Sequence, residues 1–313
     1  MRAFDIIAVG ELNVDLILRG VPSLPQMDKE LFAQEMTLAL GSSTAIFAAN
    51  AAVMGAKVAF CGMIGDDSFG SLVEQSLQAK GVDTRYIVKQ NEYATGATIC
   101  LSYGNDRANV TYAGAMEHFS FKQVPEELFA NGKHLHLSSI FMQPGLMKDL
   151  KRILETAKAA GMTTSMDTQF DPEEKWELDY KQILPLADIF LPNEQELTAI
   201  TRTSTVDEAI EAIRPYIHTA VVKCGAAGNK MVREGKKDLW LDSYHNAQVV
   251  DAIGAGDSFN AGFLARFVQG DDLIRCQQYG AMTGAVNTTA AGGTAAFTTK
   301  EEVEHKGQQL GWQ

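Results

Sequence analysis

"DAIGAGDSFNAGF", residues 251–263, places three small residues, Gly254, Ala255 and Gly256, directly before an acid, Asp257, where an apolar helical pattern begins. Two readings compete for it. One is a turn followed by an N-capped helix. The other is a phosphate cradle: glycines let a backbone come close to a ligand, and the free amides of a helix start favour an anion. A carboxylate at that helix end is expected to be held ionised by the positive pole, and so to serve as a proton acceptor. Phosphoryl transfer to an alcohol needs both parts, fixed donors for the charge and a base for the hydroxyl proton. Other glycine-rich phosphate motifs do not fit. A P-loop needs Lys and then Ser or Thr after its last glycine, and a dinucleotide fingerprint needs a small residue where Phe259 stands. Taken alone, the stretch leaves the capped helix and the catalytic turn both open.

The rest of the chain sets the context. "FDIIAVG", "AKVAFCGMIG", "KHLHLSSI", "MTTSMDT", "ADIFLP" and "TAVVKCG" read as short buried strands. Helix-period segments lie between them, such as "STAIFAANAAVMG", stopped by Gly55, and "SFGSLVEQSLQAKG", closed by Gly81. Repeated β–α–β order implies a parallel sheet with helices on both faces, and ligands at the carboxyl ends of its strands. Two pieces break the rhythm. Residues 95–115 read as an antiparallel hairpin around "GND", and residues 14–38 as strands separated by a Pro-rich loop. Together they are expected to form a small sheet covering the site of a single domain spanning 1–313.

Composition narrows the function. A formal net charge of −12 argues against a nucleic-acid or anionic-membrane surface, since those bind through basic stripes. No apolar run reaches spanning length, and "MRAFDIIAVGELNVD" lacks a signal-peptide layout, so a cytoplasmic protein is expected. Cys61, Cys100, Cys224 and Cys276 are widely spaced, without metal or redox pair spacing, and are expected to be reduced.

At this point the sequence resembles the ribokinase-like (PfkB) family of carbohydrate and nucleoside kinases, whose D-[TS]-x-G-A-G-D-x-F motif reads here "DAIGAGDSF". The resemblance runs through nearly the whole chain in order: "VGELNVDLI", "GSSTAIFAANAAVMGAKVAFCGMIGDDSFG", "TGATICLSYGNDRANVTYAGA", "LPNEQEL", "VVKCGAAGNKMV" and "AVNTTAAGGTAAF". It implies a three-layer α/β/α domain with a mainly parallel central sheet and a β-sheet lid. It implies ATP-dependent transfer to a primary hydroxyl of a small sugar or polyol, with Asp257 as base and Gly254, Ala255 and Gly256 as the anion hole. Asn13 and Asp15 would bind substrate hydroxyls, joined by Gly41, Ser42, Asp167 and Gln169. Asn193, Lys223, Gly225, Gly228 and Asn287 would serve the nucleotide. Glu196 would meet Mg²⁺ through water, and Asp251 would be the residue for a monovalent cation such as K⁺.

Departures from the family pattern bear on specificity. A usual Gly-Gly pair is Gly41-Ser42, and an Asn that often follows is Ile46. D-x-N-x-R appears as "DTQFD", with Asp171 where an Arg would suit an anionic substrate; this points to a neutral sugar or polyol, or to a nucleoside. Ala252 and Ile253 replace the threonine near the cation site, which leaves main-chain oxygens as ligands. His134 and His136 share a strand face without a third ligand at a recognisable spacing, so a packed, hydrogen-bonded pair is expected rather than a metal. Arg107 at the hairpin tip reads as a solvated turn residue. Ile99 and Leu101 suit either a roof over the substrate or a homodimer contact through the lid. Retention of a base speaks against a silent sensor on the same fold, and the missing fingerprint against an oxidoreductase.

Overall fold

The computed structural model describes residues 2–103 and 106–313. The strands are β1 (Phe4–Val9), β2 (Asn13–Arg19), β3 (Glu35–Leu40), β4 (Val58–Gly65), β5 (Asp83–Gln90), β6 (Gly96–Tyr103) and β7 (Asp106–Tyr112). They continue with β8 (Gly132–Ser138), β9 (Thr163–Asp167), β10 (Ile189–Phe190), β11 (Thr219–Lys223), β12 (Asn229–Arg233) and β13 (Leu239–Leu241). Nine strands form one sheet in the order β13-β12-β11-β10-β9-β8-β1-β4-β5. Pairing is parallel from β5 across to β11 and antiparallel only at the β11–β12–β13 edge. The expected mainly parallel sheet is what forms.

Strand composition explains the two-sided covering. In β1, Ile6 and Ala8 enter one core with the helices Ser43–Val53 and Ala255–Phe267. Ile7 and Val9 enter the other, with the helix Leu150–Ala159. Alternate residues pointing to opposite faces, all apolar, demand helices on both.

The remaining strands form a second sheet, β3-β2-β6-β7, from the two segments expected to make the lid. β2 pairs parallel to β6, and the outer pairs are antiparallel. The tip of the hairpin, residues 104 and 105, lies outside the described residues. Asn13 begins β2 and leads into this sheet, while β9, β11 and the helix Ala255–Phe267 end or start beneath it. The carboxyl ends of the parallel strands thus face the lid across a cleft.

Candidate active site

The motif that opened the sequence is built as a turn fixed from behind. Gly254 caps the helix Ala255–Phe267 with φ 76°, a conformation natural to glycine. A Cβ there would come within 2.7 Å of Gly293 Cα, so the close approach also excludes a side chain. Asp251 accepts hydrogen bonds from the amides of Ile253 (3.0 Å) and Gly292 (3.0 Å). Asn287 donates to the Ile253 carbonyl (2.6 Å) and accepts from Ser258 Oγ (2.9 Å). Asn50 donates to Ser258 Oγ (2.9 Å) and to the Gly293 carbonyl (2.9 Å).

These contacts bear on two of the expected site residues. Asn287 is fully buried behind the turn and holds the motif from there. Asp251 has its oxygens on backbone amides, with the Arg19 guanidinium 3.5 Å away. It braces the loop and has a cationic neighbour.

Helix starts leave amides without intrahelical partners. Among the described residues, the amides of Gly254 and Gly256 have no protein acceptor, while Ala255 N reaches the Ala252 carbonyl at 3.3 Å. The expected three-amide hole is therefore two free donors and one weakly engaged. At Gly256 a Cβ would meet only Lys223 Nζ, at 3.5 Å, and at Gly225 nothing within 4 Å. Both glycines present open backbone. Gly228 differs: φ is 128°, and a Cβ would lie 2.2 Å from the Leu241 carbonyl oxygen. It serves the β11–β12 turn by fitting under β13.

Asp257 is 6% exposed and lines the cleft. Gln169 Nε2 donates to its Oδ1 (2.8 Å) and to Asp167 Oδ2 (3.0 Å). The same Asp167 oxygen receives Lys223 Nζ (2.7 Å) and Asn260 Nδ2, and Lys223 also donates to Asn260 Oδ1 (3.3 Å). Burial, and then the nearby Asp167 charge, push the Asp257 carboxyl well above the usual range, against the pull of Lys223. The direction is opposite to the one the helix end alone would give. A helix terminus contributes at most about 2 kcal/mol, and desolvation of a buried carboxylate exceeds that. Burial alone would push the Lys223 ammonium down; Asp167 and Glu196 more than offset it and hold the group raised.

Asn193 and Glu196 form a reciprocal capping box at the helix Glu194–Thr201. Glu196 N donates to Asn193 Oδ1 (2.9 Å), and Glu196 accepts from Asn193 N (3.1 Å), Asn193 Nδ2 (2.5 Å) and Thr168 Oγ1 (3.3 Å). Burial and the Asp167 charge raise its carboxyl. Both oxygens already accept protein donors, so Glu196 does not stand as a bare ligand.

The lid brings Asn13 and Asp15 to the cleft. Asn13 Nδ2 donates to Thr98 Oγ1 (2.7 Å), and its buried Oδ1 has no partner. Gly41 makes room for both residues: a Cβ there would lie 2.2 Å from Asp15 Oδ1 and 2.8 Å from Asn13 Oδ1. Ser42 adopts φ 69°, donates to the Glu11 carbonyl (2.5 Å) and accepts from Ala45 N (3.2 Å). Burial pushes the Asp15 carboxyl up to about 6, with Arg107 opposing and Asp251 and Glu11 adding to it.

Sequence reasoning missed several residues here. Arg107 is exposed, as expected, and also lines the cleft, where it exerts its charge on Asp15. Glu11 is a buried acid at the cleft, bonded by Thr44 N (3.2 Å), Thr44 Oγ1 (2.5 Å) and Gln143 Nε2 (3.4 Å). Only its place two residues before Asn13 could have drawn notice. Asp171 lines the cleft too, but its oxygens accept from Glu173 N (2.9 Å) and Trp176 N (2.6 Å). It braces a loop, so its charge is a weaker guide to the substrate than its position suggested. His134 and His136 lie in a buried network on Ser165 Oγ, at 2.7 Å and 2.8 Å.

A cleft of about 1150 Å³ joins the lid residues Asn13 and Asp15 to Gly254 and Asp257. Its polar floor is Glu11, Asn13, Asp15, Gln169 and Asp257, and one wall is apolar, with Met116, Phe141, Met142, Met147 and Phe170.

Known proteins share this arrangement of chain. A ribokinase of Haemophilus influenzae is 27% identical over 301 residues, covering 94% of this chain and 95% of its own. The fold matches Arabidopsis thaliana ribokinase complexed with ribose and ATP, at a TM-score of 0.84 and 23% identity over 99% of this chain and 100% of that one. It also matches an E. coli chain solved with ATP and Mg²⁺, at 0.84 and 24%, over 98% and 99%. The model of the pfkB family carbohydrate kinases matches residues 3–300. A glycine-capped turn before a buried acid, set under a lid, together with a family match over residues 3–300, places this chain in the pfkB family of carbohydrate kinases, phosphotransferases that act on a hydroxyl acceptor.

Proposed function

We propose that the protein transfers the γ-phosphoryl group of ATP to a primary hydroxyl of a small neutral sugar or polyol, with Asp257 as general base. One observation carries the reading. A buried carboxylate with a raised pKa lies on the cleft floor between hydroxyl-binding groups and the free amides of a helix start. A base poised upward from the carboxylate range accepts a hydroxyl proton more readily near neutral pH.

In this reading Asn13 and Asp15 bind acceptor hydroxyls and aim one at Asp257. The Asp257 carboxylate takes its proton as the hydroxyl oxygen bonds to the γ-phosphorus and the bond to the bridging oxygen breaks. The amides of Gly254 and Gly256 receive the charge on the transferring group. The lid excludes water, so that ATP is not spent on hydrolysis.

The residues fit a nucleotide. Gly256 leaves open backbone 3.5 Å from the Lys223 ammonium, and Gly225, two residues after Lys223, is open as well, as a polyphosphate requires. They also fit Mg²⁺ that keeps much of its water. Among the described residues no group of three His, Cys, Asp or Glu could hold a metal alone, and Glu196 has both oxygens engaged, so it would meet the ion through water. Bound there, the ion would neutralise phosphate charge.

A nucleoside acceptor is the second reading, favoured by the apolar wall of the cleft. A homodimer through the lid is supported by its outer face. Leu38, Leu16, Ile99 and Val110 form one row across all four strands, and Met36, Leu18, Leu101 and Ala108 the next. Met36, Leu38, Ile99 and Val110 are exposed, and a sheet face of this kind is buried by a second copy.

The test is ADP release from purified protein and MgATP, against neutral sugars, polyols, sugar acids and nucleosides, with and without K⁺. Turnover with a neutral sugar or polyol is expected. Turnover only with nucleosides moves the assignment to the second reading, and silence across the panel refutes both.

A further inference from the structure

Gln169 was expected at the substrate, yet its amide is spent elsewhere. Nε2 stands between two carboxylates, 2.8 Å from Asp257 Oδ1 and 3.0 Å from Asp167 Oδ2. An amide nitrogen has two hydrogens, so one can go to each. Among the described residues no other hydrogen bond reaches the Asp257 carboxylate, which leaves Oδ2 for the cleft. The second carboxylate is tied in turn to Lys223 and Asn260.

The backbone around Gln169 is built for this placement. Its φ is 57°, a left-handed value that a residue with a Cβ rarely adopts. Glu174 and Trp176, further along the loop, have φ 51° each. Asp171 pins the amides of Glu173 and Trp176. The Trp176 ring packs edge-on against Phe141 (5.6 Å between centroids) and Phe170 (5.8 Å). Such strain persists only where the surroundings over-determine it. Here it holds one amide against the acid.

We propose that Gln169 is a positioning residue for the base: its amide bridges Asp257 and Asp167, sets the orientation of the Asp257 carboxylate, and favours its ionised form. The charged groups facing Asp257 are Asp167 at the end of β9, Lys223 at the end of β11, Glu11 after β1, and Glu196 on the helix Glu194–Thr201. Three are acids that disfavour ionisation and one is a cation that favours it. Gln169 adds a neutral donor to the favouring side without adding charge, so removing it leaves two neighbouring carboxylates with no proton donor between them.

The inference rests on Asp257 as the base, and its test separates the two. Two variants are used: Gln169→Met, which keeps the length but no donor, and Gln169→Asn, which tolerates the left-handed backbone but is a methylene too short. Thermal melts and binding of an ATP analogue report the fold. The ionisation of Asp257 is read by ¹³C NMR of labelled aspartate, its signal assigned with Asp257→Asn.

In both variants the Asp257 midpoint is expected to move up by about one pH unit. The acid limb of kcat should follow it, with kcat on the plateau down roughly tenfold and acceptor KM changed less than twofold. An unmoved midpoint and acid limb, with the loss confined to acceptor KM, overturns the inference and returns Gln169 to substrate contact. A moved midpoint in a protein that phosphorylates no acceptor upholds the inference and refutes the kinase reading.

Discussion

Asp257→Asn removes the proposed base and, with it, a buried acid. Asparagine keeps the shape, and its Oδ1 can still accept the Gln169 amide now 2.8 Å away. Turnover is expected to fall roughly 10²–10⁴-fold, the range for a positioned base, equivalent to about 2.7–5.5 kcal/mol in the barrier. Stability should move the other way. The folded carboxyl is raised well above its ordinary 3.8, by burial first and Asp167 second. An acid shifted upward contributes stability that is complete while it stays protonated, below its unfolded pKa. That contribution is lost as pH rises through the folded value. Each unit of upward shift corresponds to about 1.4 kcal/mol, or roughly 2 °C in a chain of this size. Asparagine never ionises and so escapes the loss. Thermal melts from about pH 5 to pH 9, beside ADP-release assays, should show an inactive variant that melts above the parent, by a margin widening with pH. Near-parental turnover would refute the assignment of the base, and a pH-independent margin would refute the account of its ionisation.

Other perturbations test other parts of the site. Asp15, pushed up to about 6, should lose acceptor affinity on protonation, so acceptor KM climbs as pH falls through about 6; Asp15→Asn should flatten that dependence and raise KM roughly 10–100-fold. A pH-independent KM in the parent removes Asp15 from the acceptor. Gly254→Ala combines a φ of 76° with a Cβ 2.7 Å from Gly293 Cα and should cost roughly 1–3 kcal/mol in a denaturant melt, with turnover falling too; an unchanged midpoint contradicts the close approach. Ile99→Lys puts a charge into the middle of an apolar row and should sediment as a monomer where the parent sediments as a dimer. A monomeric parent refutes the lid interface.

The sequence by itself determined the parts of this protein that depend on neighbouring residues. Apolar runs between helix-period segments specified the parallel sheet, because a strand buried on both faces must be apolar throughout, as β1 and β4 are. Glycines before Asp257 marked a helix start with open amides, since that geometry lies within one turn of chain. Gly41 before Ser42, and the capping box of Asn193 and Glu196, were legible for the same reason.

What only the tertiary structure decided depends on residues distant along the chain. The amide on Asp257 comes from Gln169, 88 positions away. The charge beside Asp15 comes from Arg107, across β6 and β7, and the wall behind the motif from Asn50 and Asn287. The ionisation of Asp257 changed sense between the two views. A helix end favours a carboxylate by a local field that sequence reveals, whereas burial and a second acid oppose it through desolvation and like charge, which exist only once the chain has closed around them.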